Sequence, residues 1–186
     1  MFLLYPSSVK YLLIALAGLG LFLGYVSTRN SEFRYERSGL IQAPPAQIFP
    51  YLANFKKGNE WSPYDRRDPN MKRTFKGIEG EVGSIMEFDG NSDSGAGSLE
   101  VLKIIPNQQV EIKLVMTRPI SASNTIIYTL TPEGDQTRFS WAMSGDGGFM
   151  GKLIGVFIDC EKMVAGDFEV GIKTLKDLIE KQASSP

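Results

Sequence analysis

Hydrophobic and polar positions follow three patterns, one after another, along this chain. A continuous apolar run, YLLIALAGLGLFLGYV, extends from Tyr11 to Val26. Apolar and polar residues then alternate in several short segments, which is the period of half-buried β-strands. From Leu153 to Leu178 the apolar residues recur every three or four positions, as in a helix with one buried face. This order predicts an apolar helix, an antiparallel sheet and a long closing helix.

The first apolar run has the length of a membrane span. No charged residue lies between Lys10 and Arg29, and eighteen helical residues rise about 27 Å, close to the roughly 30 Å of a bilayer core. Tyr11 and Tyr25 stand near its ends, where amphipathic rings favour the interface. We therefore expect residues 1–30 to form a membrane anchor and linker, with contact to the membrane through residues 11–28. The alternative is a cleaved signal peptide, although no small-x-small cleavage pattern follows Val26.

Basic residues on the two sides of this span bear on its orientation. Lys10 and the terminal amine flank one side, whereas Arg29, Arg34 and Arg37 flank the other. The positive-inside rule thus favours a single-pass membrane protein with its larger domain in the cytoplasm, although a domain of this length can translocate regardless of charge. Gly20 and Gly24 form a GxxxG pair that could join two spans or simply reflect the glycine content of membrane helices, so the oligomeric state stays open.

Residues 31–186 are expected to form one α+β domain. A strand ending at Ile41 is followed by Ala43-Pro44-Pro45, which favours a helix start, and Gly58-Asn59 ends that helix. A short helical or irregular stretch around Trp61 comes next. Short turns between the later strands favour antiparallel pairing. The predicted later strands start near Lys72 and continue at 85–90, 98–105, 110–116, 123–131 and 136–145.

The closing helix is the only predicted element long enough to cover the apolar face of such a sheet. Residues 145–151 are expected to be loose, and the helix to be mostly continuous from Leu153 to Leu178. Its stripe includes Gly171, which costs about 1 kcal/mol relative to alanine in a helix interior. Such a glycine indicates a close neighbour, either a bound molecule or the sheet itself. The stripe consists of Val164, Phe168, Gly171, Ile172, Leu175 and Leu178.

Composition excludes several kinds of site. The chain has 42% hydrophobic and 22% charged residues, no histidine, and Cys160 as its single cysteine. Catalytic triads that use histidine and HExxH zinc sites are therefore excluded, and no intramolecular disulfide can form. No cluster has metal-ligand spacing, and the glycine-rich segments lack the lysine of a phosphate-binding loop. A net charge of −1 gives no basic excess for nucleic acid, and we predict no cofactor.

Several short motifs, taken in order, resemble the START-like (SRPBCC, helix-grip) superfamily, in particular its polyketide cyclase/dehydrase and lipid transport branch. The resemblance covers about residues 33–181 and implies a curved antiparallel sheet wrapped around a long C-terminal helix, with a mostly apolar cavity between them. The motifs are Ile41-x-Ala43-Pro44-x4-Phe49, Trp61-Ser62-Pro63, Asp68-Pro69, Gly80-x2-Gly83-Ser84, Gly90-Asn91-x5-Gly97, Trp141-x3-Gly145 and Asp167-Phe168-Glu169-x-Gly171-x3-Leu175-Lys176.

Apolar residues facing this cavity are the candidate ligand-binding residues. The alternative for each is a place in a solid core; the seven methionines favour an adaptable apolar surface. The candidates are Trp61, Met86, Phe88, Leu99, Val101, Leu114, Met116, Phe139, Trp141, Met143, Phe168, Ile172 and Leu175.

The sequence leaves three functions open, and membrane-tethered binding of a small hydrophobic or lipid-like ligand is the leading hypothesis. An enzyme of the cyclase, dehydrase or isomerase type would need a buried carboxylate or tyrosine, for which an inward Glu100 or Tyr128 is the candidate; we assign no catalytic residue. A ligand-free interaction module is the third. We expect the Arg66-Arg67 pair to be solvated, and most carboxylates to lie at the surface: Asp65, Asp68, Asp89, Glu100, Asp159 and Asp167.

Overall fold

A computed structural model describes residues 7–183 of the chain. The predicted units 1–30 and 31–186 therefore include residues 1–6 and 184–186, which lie outside the described residues. The helices are α1 Ser7–Ser27, α2 Pro45–Ala53, α3 Phe55–Gly58, α4 Pro63–Arg67, α5 Gly148–Phe157 and α6 Cys160–Ala183. The strands are β1 Glu32–Ile41, β2 Lys72–Lys76, β3 Ile85–Asp89, β4 Ala96–Ile105, β5 Gln109–Arg118, β6 Ala122–Glu133 and β7 Gln136–Asp146.

The strands form one seven-stranded antiparallel sheet in the order β1-β7-β6-β5-β4-β3-β2. Strands β2 to β7 are each paired with their neighbours in sequence, as the short turns predicted. Strand β1 pairs instead with the last strand, β7, so the beginning and the end of the strand region meet at one edge. The predicted α+β architecture, a sheet packed on a long C-terminal helix, is confirmed.

Helix α6 packs on the β1–β7 edge of the sheet. On β7 the Trp141 indole stacks on the Phe168 ring of α6, with centroids 4.3 Å apart and planes at 14°. A Cβ atom on Gly171 would lie 2.6 Å from Cζ3 of Trp141. The mid-helix glycine is thus explained by close contact with the sheet, which is one of the two alternatives the sequence left open.

Helices α2 to α4 complete the core beside α6, and α4 contacts α6 directly. Ile48, Leu52 and Phe55 from this segment are buried, and the indole N–H of Trp61 donates to the Tyr51 carbonyl at 3.0 Å. The Trp61 ring then meets aromatic rings from β6 and β7 edge-on, at centroid distances of 5.3 to 6.0 Å. This edge-on arrangement is one that aromatic pairs prefer. The segment therefore fills this part of the core with large rings.

The closing helix differs from its prediction because it is divided in two. Ile158 has an extended backbone (φ −124°, ψ 128°) and ends α5. The Asp159 carboxylate accepts the backbone N–H of Lys162 at 2.9 Å, as an N-cap does, so a new helix starts immediately. Part of the segment expected to be loose, from Gly148 onward, belongs to α5.

Helix α1 projects its apolar side chains away from the domain. The part Ser8–Ser27 is long and apolar enough to cross a membrane, with a mean hydropathy of 1.9 over its best window. Most of its side chains are exposed, whereas Val26, near its end, is fully buried. Its terminal residues therefore pack against other parts of the protein while the rest of the helix stands free of the core.

Substitution of Gly171 tests the close contact between α6 and the sheet. Gly171→Ala should destabilise the protein by about 1–3 kcal/mol, the usual range for overpacking, because the added methyl collides with the Trp141 ring. Gly166→Ala on the same helix meets nothing within 4 Å and should stabilise it by up to about 1 kcal/mol through helix propensity. Urea unfolding of the full chain in detergent measures both values. Changes of the same sign would contradict the proposed contact.

Candidate functional site

The centre of the sheet's inner face is solid. Arg37, Trp141, Tyr128 and Val110 form one row across β1, β7, β6 and β5, and the last three of them are buried. Phe139, in the neighbouring row, is fully buried. Rings of Trp61, Tyr128, Trp141 and Phe168 therefore occupy the space between sheet and helix at this level.

Burial decreases toward the end of the sheet where β1 begins and β7 ends. Register places Phe33, Gly145, Asn124, Leu114 and Leu99 in one row there. Their side chains, or backbone in the case of glycine, are only partly buried. The next row contains the partly buried Met116 and Phe88. We call the surface formed by Phe33, Phe88, Leu99, Leu114, Met116 and Asn124 the half-buried end.

The predicted ligand-binding residues divide between these two regions. Four of them, Phe88, Leu99, Leu114 and Met116, belong to the half-buried end. The other nine are buried in the core cluster with at most 9% of each residue exposed. These nine are Trp61, Met86, Val101, Phe139, Trp141, Met143, Phe168, Ile172 and Leu175. Period-two alternation located the inner face, but it carries no information on which end of a strand is covered.

A buried ion pair borders the half-buried end. Arg73 of β2 lies beside Phe88 in the register, and its guanidinium Nε donates to Asp65 Oδ1 at 2.7 Å. The two side chains are only 15% and 9% exposed. Asp65 was expected at the surface; it is covered because its charge is neutralised by a partner in contact. In the sequence, Arg73 and Phe75 are two residues apart on β2, and this spacing is the only signal that would place both side chains on the inner face.

A second polar cluster joins α4 to α6. The Arg67 guanidinium pairs with the Asp167 carboxylate and lies 5.6 Å from the centre of the Tyr64 ring. Tyr64 hydrogen-bonds to Asp167, which is 8% exposed. Asp167 is therefore a buried carboxylate paired with Arg67, whereas the sequence favoured a surface position for it; Arg67 itself is exposed, as expected. Arg66 is exposed, as expected.

Burial sets the protonation of the two inner tyrosines. The pKa of Tyr128 is raised far above its ordinary value of 10.0, first by burial and then by Tyr64 and Asp65. The pKa of Tyr64 is also raised, again mainly by burial and next by Asp167. Both phenols are therefore neutral at physiological pH. Each can donate a hydrogen bond, but neither is suited to act as a base.

Several buried polar side-chain atoms have no hydrogen-bond partner among residues 7–183. On strands β6 and β7 they are Oδ1 of Asn124 and Nε1 of Trp141. An unsatisfied buried polar group costs about 1–3 kcal/mol. Asn124 lies in the half-buried end, between Gly145 and Leu114, and its Oδ1 lies against Gly145.

Glu100 does not face the interior. It pairs with Ile85 and Lys113, whereas its neighbours Leu99 and Val101 are on the inner face. Because successive side chains of a strand point to opposite faces, Glu100 belongs to the outer face. The inward orientation considered from the sequence is wrong.

Asp68, expected at the surface, is buried, with 7% of the residue exposed. Its carboxylate accepts the backbone N–H of Asn91 at 2.7 Å, which is a structural role in the β3–β4 loop.

Two surface clefts of the described chain lie outside the half-buried end. One, of about 620 Å³, is lined by charged residues that include Arg37, Glu161 and Glu169. The other, of about 360 Å³, lies between α2 and the end of α6, beside Tyr51 and Ile179. Neither cleft is lined by a predicted ligand-binding residue. Within residues 7–183 no group of three or more His, Cys, Asp or Glu side chains could hold a metal ion.

Comparison with known proteins gives a family and a fold. Residues 32–180 match the family described as polyketide cyclase/dehydrase and lipid transport. No curated protein matches by sequence. Among solved structures, the Aha1 dimer from Colwellia psychrerythraea is 20% identical and has a TM-score of 0.57, with 80% of this chain and 96% of that chain covered.

Two further structures are similar to this chain. Protein CV1439 from Chromobacterium violaceum is 16% identical with a TM-score of 0.56, and the match covers 81% of this chain and 97% of that one. The di-domain ARO/CYC StfQ from the steffimycin biosynthetic pathway is 10% identical with a TM-score of 0.61, over 87% of this chain and 55% of that one. At these identities the likeness shows the fold alone.

The raised pKa values predict a specific loss of stability in alkali. Below about pH 10, Tyr64 and Tyr128 are protonated in both the folded and the unfolded chain, so they contribute no pH dependence. Above pH 10 the unfolded chain releases these protons first, and the free energy of unfolding should fall as pH rises. Denaturant unfolding between pH 8 and 11.5 should show a shallower decline for Tyr128→Phe. Tyr11→Phe, at an exposed position, should follow the wild type; equal slopes for all three proteins would refute the assignment.

Proposed function

The chain belongs to the polyketide cyclase/dehydrase and lipid transport family, and on that premise we propose that it is a membrane-tethered binding protein for a small hydrophobic or lipid-like ligand. The observation that supports this most directly is the half-buried end. Phe88, Leu99, Leu114 and Met116 present an apolar surface on the inner face that the rest of the core covers only in part. A ligand there would lie on the inner face of the sheet, at the place that packing leaves least complete.

Apolar burial would supply most of the affinity. At roughly 25 cal/mol per Å², removing about 200 Å² of ligand surface from water contributes about 5 kcal/mol. Methionine suits this role because its unbranched thioether adapts to different shapes, and Met116 stands at the rim. The unpartnered Asn124 oxygen would accept a hydrogen bond from a hydroxyl or acid group of the ligand and so fix its orientation.

Binding is better supported than proton-transfer catalysis. Glu100 faces outward, the Asp65 carboxylate is held by Arg73, and Tyr128 is buried and neutral. General-base chemistry needs an accessible group that takes a proton near the operating pH. None of these three residues fits that requirement, so the enzymatic alternative has the weaker support.

A ligand-free interaction module is the second candidate. The observation in its favour is the solid centre of the core, where the Trp141 and Phe168 rings stack directly. This part of the fold needs no ligand to fill it. The two candidates differ only at the half-buried end, which the module would leave to a protein partner or to solvent.

The exposed apolar surface of α1 supports the proposed tethering of the domain to a membrane. Its exposed leucines, among them Leu16 and Leu19, have 54% and 53% of their surface in contact with solvent in the absence of a bilayer. A span of this kind would keep the domain at the membrane, where hydrophobic ligands concentrate. The side of the membrane that the domain occupies stays a prediction from the flanking arginines.

Photo-crosslinking in nanodiscs tests ligand binding. The full chain is reconstituted, exposed to a photoactivatable fatty acid and digested for mass spectrometry. We expect adducts in β5 and in β4, at peptides containing Leu114, Met116 or Leu99, and we expect excess oleic acid to suppress them. Met116→Lys should reduce these adducts at least tenfold because it places a charge on the apolar surface.

Leu102→Lys is the matched control, since Leu102 lies on the same sheet but is 42% exposed on the outer face. It should leave the adducts unchanged. Labelling confined to α1 and α5 would show that the probe reaches the protein only from the bilayer, and the binding proposal would then fail in favour of the interaction module.

Carbonate extraction of membranes tests the tether. The wild-type chain should stay in the membrane pellet, with an intact mass that includes α1. A Leu16→Arg/Leu19→Arg double variant should move to the soluble fraction, since arginine at a span centre costs about 2.5–3.5 kcal/mol each. Leu102→Arg, remote from the span, should remain in the pellet. A wild-type protein that is extracted, or that has lost α1, would exclude an anchor.

A further inference from the structure

Helix α5 exposes a large amount of apolar surface for a segment of a folded domain. None of its ten residues is buried. Phe149 and Met150 are 47% and 49% exposed, and Phe157 is 74% exposed. Ile158, which follows the helix, is 50% exposed. Contiguous apolar surface of this kind marks a site of interaction with a protein or a membrane.

The position of α5 beside α1 favours a membrane over a protein as the partner of this apolar surface. The Phe157 ring lies 6.1 Å from the ring of Phe22 on α1. Nearer the start of α5, the Lys152 ammonium donates to the Ser27 carbonyl at 3.1 Å. Helix α5 therefore runs back along the last turns of α1, from Ser27 toward Phe22.

Distances along α1 give the depth that α5 would reach. Phe22 precedes Ser27 by five residues, which in a helix is about 7.5 Å. Interfacial helices bury their apolar face about 5–10 Å into the boundary between headgroups and acyl chains. If α1 spans the bilayer, Phe157 lies at the depth of Phe22, within that boundary.

We propose that α5 is an interfacial helix that inserts its exposed apolar side chains into the bilayer beside α1. This inference rests on the proposed tether. Its partner is the lipid surface itself, because α5 continues the apolar surface of the span. The polar groups at the same level fit the headgroup region. The Lys152 ammonium donates a hydrogen bond to the Ser27 carbonyl, and the Arg29 guanidinium donates one to the Tyr25 hydroxyl at 2.9 Å.

Apolar insertion, with little contribution from anionic lipid, should drive this contact. The charged residues around α5 are of both signs, with Lys152 and Lys162 near Asp159 and Glu161. They offer no net basic patch. The contact should therefore form on zwitterionic vesicles and persist at high salt.

Insertion of α5 would also bring the half-buried end close to the bilayer. Strand β7 leads directly into α5, and the Gly147 N–H donates to the Ser31 carbonyl at 2.9 Å, where β1 begins. Phe33 and Asn124 belong to the row of the sheet nearest this junction. An inserted α5 would thus hold the half-buried end close to the bilayer, so that a lipid-like ligand could enter it with little exposure to water.

Site-directed spin labelling of the full chain in phosphatidylcholine liposomes tests the proposal. In a Cys160→Ser background, a nitroxide is attached at Phe157→Cys and, as a second position, at Ile158→Cys. Power saturation then compares accessibility to oxygen, which concentrates in lipid, with accessibility to a water-soluble nickel chelate. Leu19→Cys reports on the span, and Val82→Cys, 60% exposed on the β2–β3 turn at the other edge of the sheet, is the aqueous control.

We expect the labels at 157, 158 and 19 to be more accessible to oxygen, the label at 82 to nickel, and 1 M salt to change neither result. A label in lipid at 19 with labels in water at 157 and 158 would overturn the α5 proposal and leave the tether intact. A label in water at 19 would overturn both. Protection of 157 and 158 from both reagents would show coverage by protein, a second copy or a partner, and would also overturn the proposal.

Discussion

The stack of Trp141 on Phe168 is the contact on which the rest of the structure depends. It joins the last strand to the closing helix with ring centroids 4.3 Å apart, and it requires a glycine at 171, where a Cβ would meet the indole. Because α6 is fixed at this point, its course over the β1–β7 edge is fixed as well. The core is therefore closed at its centre without any bound molecule.

Closure at the centre determines where a ligand can lie. Helix α6 begins near Tyr35 and runs along β1 toward Leu40 and Gln42, while α2 to α4 cover the core beside it. What remains is the half-buried end. Its polar features, the Asn124 amide and the Asp65–Arg73 pair on its border, are few and fixed in position. Binding sites with mostly apolar walls and a few placed polar groups are the common type for small molecules.

The sequence predicted the inner face better than it predicted the extent of burial. Alternation placed Leu99 and Leu114 on the same face as Trp141, which the register confirms. It could not separate covered positions from half-buried ones, because that depends on where helices pack across the sheet. The break at Ile158 was missed for a similar reason: apolar periodicity continues through the cap that Asp159 provides. Paired charges such as Asp65 were also missed, since their partners are brought together only by the fold.

The apolar surfaces of α1 and α5 are in contact, and the junction of β7 with α5 lies at the same end of the strands as the half-buried end. Each of them alone would be a liability in water, since exposed apolar patches favour aggregation. Under the proposed tether and α5 insertion, one bilayer and a bound ligand would cover these surfaces. Such a tether would do more than raise the local ligand concentration, because a ligand would pass from membrane to site without an aqueous step. The solid core around Trp141 would suit that function, since it would keep the sheet in place while the ligand enters or leaves.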